Sequence, residues 1–259
     1  CPKCKCTEYI PESDIMDTWA TSSITPQINA KWNVDNEFYK KLMPMTLRPN
    51  AHDIIRTWDF YTIVKSFYHS NSLPWKEVMI SGFIMASQGQ KISKSKSNAK
   101  NDPIDLINTY SADVVRYWTA TGSLGRDIIF NEEKFKIGAR LTNKLFNASK
   151  FVWLFLENYT PKQNTKLKPM DKWILSKGRE MQKRFNDYFE KYEVGLAMSE
   201  LENFFWNFCD NYIELVKVRL YNPEIYGEEA KESAQYACYY TLLEMLKMFG
   251  IYLPHITVE

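Results

Sequence analysis

Lys91-Ile92-Ser93-Lys94-Ser95 lies in a polar run, Gln88 to Asn101, that carries four lysines and three serines between two apolar blocks. A strand-like segment, Val78–Ile84, leads into the run. Asp102-Pro103 and a helical pattern lead out. Flexible cations in such a loop lose hydration if buried without carboxylate partners, so the run is surface. Taken alone it is either a solvated linker or a loop that closes on a polyanion such as a nucleoside triphosphate. The flanking chain decides between them.

Upstream, Leu47-Arg48-Pro49-Asn50-Ala51-His52-Asp53 reads as a short strand entering a turn. From Ile54 the pattern is helical: Ile55, Trp58, Tyr61 or Thr62, Lys65 and Tyr68 recur at three and four. Asp53 either caps that helix or borders a crevice formed by strand end, turn and helix start, where open parallel sheets bind nucleotides. Trp58 lies within the first turns after it. Lys31 to Met45 is amphipathic and helix-compatible, ended by Pro44. Earlier still, Asp17-Thr18-Trp19-Ala20-Thr21-Ser22-Ser23 presents a lone Trp followed by small polar residues, either a core Trp or a pocket wall. Glu77–Ile84 has the character of a buried strand. Its Ser81-Gly82 step marks a close approach of something flat to the backbone.

Downstream, Pro103–Tyr110 and a second helix capped by Ser111 precede a glycine-containing loop and a short strand, Ile128-Ile129-Phe130. At Asn131 the character changes. Ile137, Leu141, Leu145, Ala148, Val152 and Phe155 recur at three and four, a period only a helix supplies. Met170–Tyr192, Ser199–Tyr221 and Glu228–Phe249 follow as further helices, the middle one striped by Leu201, Phe205, Phe208, Tyr212 and Leu215. The fold class is therefore α/β followed by all-α, with residues 1–130 and 131–259 as the two parts. Lys144, Lys150, Lys177, Arg179, Lys183, Arg184, Lys217 and Arg219 are expected on outward positions, either as a basic face for RNA or simply solvated.

Composition narrows the class. The chain has 259 residues and a net charge of +2, enough for two ordinary cores and too nearly neutral to announce a nucleic-acid binder. No apolar run reaches the roughly 20 residues of a membrane span, and no basic-then-apolar leader is seen, so a cytoplasmic protein is expected. The chain starts at Cys1 without Met and stops at Glu259 with no tapering tail, which suggests a piece of a longer protein. Cys1-Pro2-Lys3-Cys4 has the spacing that aims two thiolates at one zinc ion, with Cys6 as a third ligand. The run is either half a zinc knuckle or a frayed terminus with free thiols. No Gly-x4-Gly-Lys-Ser/Thr occurs, which discounts a P-loop.

Four pieces now stand in order: Asp17-Thr18-Trp19, Ala51-His52-Asp53-Ile54, Lys91-Ile92-Ser93-Lys94-Ser95, and a helix bundle. This order resembles the class I aminoacyl-tRNA synthetases of the valine, isoleucine and leucine branch. In that family a Lys-Met-Ser-Lys-Ser loop closes on the ATP phosphates, and Ile92 replaces the Met here. Tyr110-Ser111-Ala112-Asp113 resembles the family's Tyr-Gly-Ala-Asp helix pair, and Gly125–Phe130 the strand that follows it. Ser97 and Ala51 stand where Gly is usual, and Ala20 where a larger residue often follows the Trp.

The resemblance implies the C-terminal half of a Rossmann-type catalytic domain with a stem-contact region at about 96–130, followed by an anticodon-binding bundle. Asp17-Thr18-Trp19 together with His52–Trp58 is similar to the valine-specific members, whereas isoleucine members show Gly-x-Asp-Gln at the second site. By that resemblance Trp19, Ile54 and Trp58 wall the valine side chain and Asp53 binds its ammonium group. Asn50 or His52 lies near the ribose, and Ser81 and Gly82 run along adenine. Ile92 belongs to the ATP-binding loop, and Lys94, assisted by Lys91, is the catalytic phosphate cation. Implied partners are valine, ATP with Mg2+, and tRNA(Val), acting on a monomer. A slot of two rings and an Ile discriminates poorly against an isostere that only adds a hydroxyl. The family's His-Ile-Gly-His signature and editing insertion do not occur in these residues, so the isolated chain is expected not to activate valine. An isoleucine enzyme and a non-catalytic tRNA-binding module are the alternatives.

Overall fold

The computed structural model describes residues 2–5, 7–8, 10–92, 102–162 and 164–259. The chain forms two compact units, Cys1–Ser81 and Gly82–Glu259.

In the first unit, α1 (Thr18–Ser22) begins where the Asp17 carboxylate accepts the Trp19 backbone N–H at 3.0 Å. After α2 (Thr25–Asn29) comes α3 (Asn36–Leu42), started by Asp35, whose Oδ1 accepts from the Phe38 amide at 3.0 Å. The helix expected from Lys31 is shorter because Lys31 and Asn33 adopt positive φ and turn the chain first. β1 (Met45–Ala51) then runs into a 3-10 turn at His52–Ile54 and a π turn at Ile55–Asp59, which continue as α4 (Phe60–Ser70). β2 (Trp75–Ser81) returns parallel to β1. The strand–helix–strand order is that of a parallel crossover unit.

The strand expected through Ile84 is two strands. β2 ends at Ser81 and β3 (Ile84–Ser87) begins the second unit. Gly82 is the break: a Cβ there would lie 2.0 Å from the Arg126 carbonyl oxygen, so only glycine permits that backbone approach. β3 pairs antiparallel with β4 (Gln90–Lys91) and parallel with β5 (Ile128–Ile129). Between them α5 (Pro103–Tyr110) and α6 (Ala112–Ala120) are capped as their sequences require, by Asp102 and Ser111. Val114 and Trp118 face inward with Leu106 and Phe135 in a small core.

The change of character at Asn131 is the start of α7 (Glu132–Leu156), whose Glu133 amide is capped by Asn131 Oδ1 at 2.9 Å. α8 (Pro169–Phe189), α9 (Val194–Asn207), α10 (Glu214–Tyr221), α11 (Pro223–Tyr226) and α12 (Glu228–Tyr252) follow. They enclose the large apolar core. Residues 103–120 are bolted onto these helices. Arg116 caps the end of α12, donating to the carbonyls of Tyr252 at 2.9 Å and Ile251 at 2.8 Å. The buried Asp113 carboxylate accepts the amides of His255 and Ile256.

Two expectations for the bundle are corrected. The helix read as Ser199–Tyr221 starts at Val194 and is interrupted by a π turn at Phe208–Ile213. That turn adds a residue to the helical repeat, so the buried stripe passes from Tyr212 to Val216, fully buried, while Leu215 is 54% exposed. Arg219 is not an outward charge: its guanidinium grips the buried Asp171. Among the other basic residues named above, Lys144, Lys177, Arg184 and Lys217 reach carboxylates at the surface. Such exposed pairs contribute little.

Candidate functional site

The register of the first unit's sheet brings several candidate residues to one edge. β1 and β2 stay paired to their last residues, Asn50 opposite Ile80 and Ala51 opposite Ser81. Both carboxyl ends therefore finish at one edge, bringing Asn50, the His52–Ile54 turn and Ser81 together. This edge is where open parallel sheets present ligands.

Arg48 and Asn50 share one face of β1, being two residues apart. The Asn50 amide nitrogen donates to Asp59 Oδ2 at 3.0 Å and to its neighbour's carbonyl, Ala51 O, at 3.0 Å. Asp59 is only 5% exposed. Burial pushes its carboxyl above the ordinary range, while the Asn50 hydrogen bond and the Arg48 charge pull the other way. The Arg48 guanidinium lies over the Trp58 ring, 4.1 Å from its centroid, and Trp58 stacks on Trp75 at 5.7 Å with an interplanar angle of 10°. Arg48 Nε, Asn50 Oδ1 and Asp59 Oδ1 are buried with no hydrogen-bond partner among the described residues, an unusual concentration of unmet polar capacity.

Trp58 also ties in the helix of Trp19. Its ring N–H donates to the Ser22 carbonyl at 3.2 Å, and the Lys65 ammonium donates to the Ala20 carbonyl. Two side chains from one helical stretch thus hold the last carbonyls of α1. Trp19 is 40% exposed and Trp58 only 7%. Ile54 is half-buried, and His52, Asp53 and Ser81 are exposed.

Trp19, Asn50, His52, Asp53, Ile54, Trp58 and Ser81 thus belong to the first unit. Gly82, Lys91 and Ile92 belong to the second. There the Lys91 ammonium lies 3.4 Å from the Phe83 ring centroid, and the Ile92 amide donates to the Ile84 carbonyl at 3.2 Å. The group that approaches Gly82 in this structure is the Arg126–Asp127 backbone. Lys94 and the rest of 93–101 lie outside the described residues, as do Cys1 and Cys6. Cys4 is an exposed free thiol. No group of three or more His, Cys, Asp or Glu side chains among the described residues could hold a metal. The described residues therefore do not make a closed zinc site.

Sequence reading missed Arg48, Asp59, Lys65 and Trp75. Arg48 had a visible signal, since it alternates with Asn50 as a polar face on an otherwise apolar strand. Asp59 had none, because a carboxylate beside Trp58 in a helical pattern reads as solvated. Lys65 was read only as a position in the helical pattern.

Two family models match the chain. "tRNA synthetases class I (I, L, M and V)" covers residues 3–131 and "Anticodon-binding domain of tRNA ligase" covers residues 171–259. The chain is 47% identical to the valine–tRNA ligase of Wolbachia pipientis wMel over 97% of its own length and 29% of that protein. It is 42% identical to that of Rickettsia felis over 97% of its own length and 31% of that protein. It thus spans about 30% of the length of the curated relatives it matches. Among solved structures it superposes on Mycobacterium tuberculosis methionyl-tRNA synthetase in complex with methionyl-adenylate, with TM-score 0.78 and 18% identity. That match covers 93% of this chain and 48% of that one. It also superposes on the Agrobacterium radiobacter K84 LeuRS–tRNA–LeuAMS ternary complex, with TM-score 0.75 and 15% identity, over 99% of this chain and 33% of that one. At these identities the structural likeness speaks to fold alone.

Proposed function

This chain belongs to the class I tRNA synthetases, and from that premise we propose that the protein containing it activates valine with ATP and transfers it to tRNA(Val). The observation that carries the reading is the shared edge of β1 and β2, where Asn50, the His52–Ile54 turn and Ser81 meet. It stands beside sequence identity to valine–tRNA ligases that runs the length of the chain.

In this reading a valine carboxylate oxygen attacks the α-phosphorus of ATP, the bond to the β-phosphate breaks, and pyrophosphate leaves. The tRNA's terminal ribose hydroxyl then attacks the valyl carbonyl and AMP leaves. Positioning and charge stabilisation carry both steps. Trp19, Ile54 and Trp58 wall the valine side chain, and Asp53 holds its ammonium. Asn50 or His52 meets the ribose, and Ser81 and Gly82 run along adenine. Lys94, with Lys91 and Ile92 in the same loop, meets the phosphates of Mg2+-bound ATP. The Asp59 and Arg48 contacts support the wall from behind, because they fix Asn50 and the Trp58 ring. The bundle reads the anticodon, and the protein works as a monomer in the cytoplasm. No described helix is long and apolar enough to cross a membrane.

The test is amino-acid-dependent ATP–pyrophosphate exchange by the complete protein, with valine, isoleucine and threonine compared. Valine is expected to drive exchange most efficiently. Faster exchange with isoleucine, or none with any amino acid, would overturn the reading.

A further inference from the structure

The second unit holds a cavity of about 300 Å³ between α8, α9 and α12. Thr241, Met245 and Met248 line it from one face of α12, and Met181 joins them from α8. All four are buried. The Phe204 and Tyr240 rings form its walls, and Tyr240 is braced against Tyr236 with centroids 4.6 Å apart. Its rim carries one charge of each sign, Arg179 and Glu244.

Two features of this cavity are unexplained by packing. Thr241 is 5% exposed, and its hydroxyl has no hydrogen-bond partner among the described residues. A threonine in a helix ordinarily returns its hydroxyl to a carbonyl of the preceding turn. The second feature is Gly178, within α8 and on the cavity wall. Glycine inside a helix is less favourable than alanine, and it is usually retained where something packs too close for a Cβ. Here a Cβ would meet only the Phe204 ring, Cζ at 3.5 Å and Cε1 at 3.9 Å, both ordinary contacts. What the missing side chain preserves is space.

We propose that this cavity is a ligand site for a neutral, planar heteroaromatic ring. The volume is at the small end of ligand pockets, which suits a ring system rather than an extended molecule. Methionine sulfurs and aromatic walls favour a flat, polarizable guest. The hydroxyl of Thr241 meets one ring nitrogen and can donate or accept. Opposed rim charges give no preference for an ion.

Ligand-observed fluorine NMR of 5-fluoroindole with the full chain tests this. Saturable line broadening is expected. Gly178→Leu, which fills the cavity with a better helix former, should weaken binding at least about tenfold. Thr241→Val, which keeps the shape and removes the hydroxyl, should weaken it by a factor on the order of five, the worth of one neutral hydrogen bond. Circular dichroism should show both variants folded, and Gly178→Ala should raise the thermal midpoint. Free adenine and a triadenylate oligonucleotide as competitors separate a free heterocycle from a base carried on nucleic acid. No saturable broadening at millimolar probe, equal binding by Gly178→Leu, or displacement by neither competitor would overturn the assignment.

Discussion

Arg219 holds Asp171 with both prongs of its guanidinium, Nη2 to Oδ1 at 2.8 Å and Nη1 to Oδ2 at 3.0 Å, across 48 residues of sequence. The carboxylate is fully buried and also accepts the Tyr212 hydroxyl at 2.7 Å and the Ser233 hydroxyl. Four donors therefore converge on one anion from α10, the π turn and α12, and pin the start of α8 to them. Hydrogen bonding to Asp171 raises the Arg219 pKa, and burial raises that of Tyr212, so both stay protonated as donors. Removing one partner leaves a buried charge unmet. Arg219→Ala and Asp171→Ala should each lower stability by roughly 3–5 kcal/mol in urea unfolding. The double variant should lose clearly less than the sum. Full additivity would mean that the pair does not act as a unit.

The π turn at Phe208–Ile213 makes opposite forecasts for adjacent residues. Val216 is fully buried and Leu215 is not. Val216→Ala should cost roughly 2 kcal/mol, and Leu215→Ala no more than about 0.5 kcal/mol. A stripe continued from Tyr212 to Leu215 predicts the reverse. Denaturant midpoints of the two variants decide the register.

These two cases show where sequence was informative. The starts of α5, α6 and α7 were readable because Asp102, Ser111 and Asn131 cap them by local hydrogen bonds. The stripe was readable through Tyr212, then failed because a π turn leaves no periodic signature of its own. Arg219 was misread because its partner is distant in sequence. At the candidate site, Asn50 and the His52–Ile54 turn were legible because a strand running into a turn is marked by residue type, whereas the end of β2 at Ser81 was not, since the apolar run continues to Ile84. Asp59 was not, since its burial is set by tertiary packing around Trp58 and Trp75.

Gly82 separates two explanations by experiment. Its Cβ would overlap the Arg126 carbonyl at 2.0 Å and the Asp127 amide nitrogen at 2.6 Å. Gly82→Ala should therefore destabilise the ligand-free protein by about 1–3 kcal/mol, the cost of forced overpacking against backbone. Thermal unfolding without ATP measures this. Unchanged stability with a raised KM for ATP would instead show that the glycine serves adenine alone.

Lys94 is proposed to act on phosphate charge that develops as pyrophosphate departs. Lys94→Ala in the complete protein should slow adenylate formation by on the order of 10²-fold. The valine dissociation constant should stay within about twofold, since no part of that contact is shared with the amino acid. Single-turnover adenylate formation and equilibrium valine binding give the two numbers. A large loss of valine affinity with a normal activation rate would contradict the assignment.

Asp59 sets a pH dependence with a definite sign. Burial raises its folded pKa above the ordinary 3.8. Between those two values the folded state binds more protons than the unfolded one, so stability falls as pH rises through the window and is level above it. The ionised carboxylate therefore opposes folding at neutral pH, although the Asn50 amide and the Arg48 charge offset part of that cost. Asp59→Asn keeps an oxygen to accept from Asn50 and cannot ionise. Relative to wild type, this variant should gain stability between pH 4 and pH 7. Urea midpoints of both proteins at the two pH values measure the difference. Parallel pH slopes would mean that Asp59 is not the group burial perturbs.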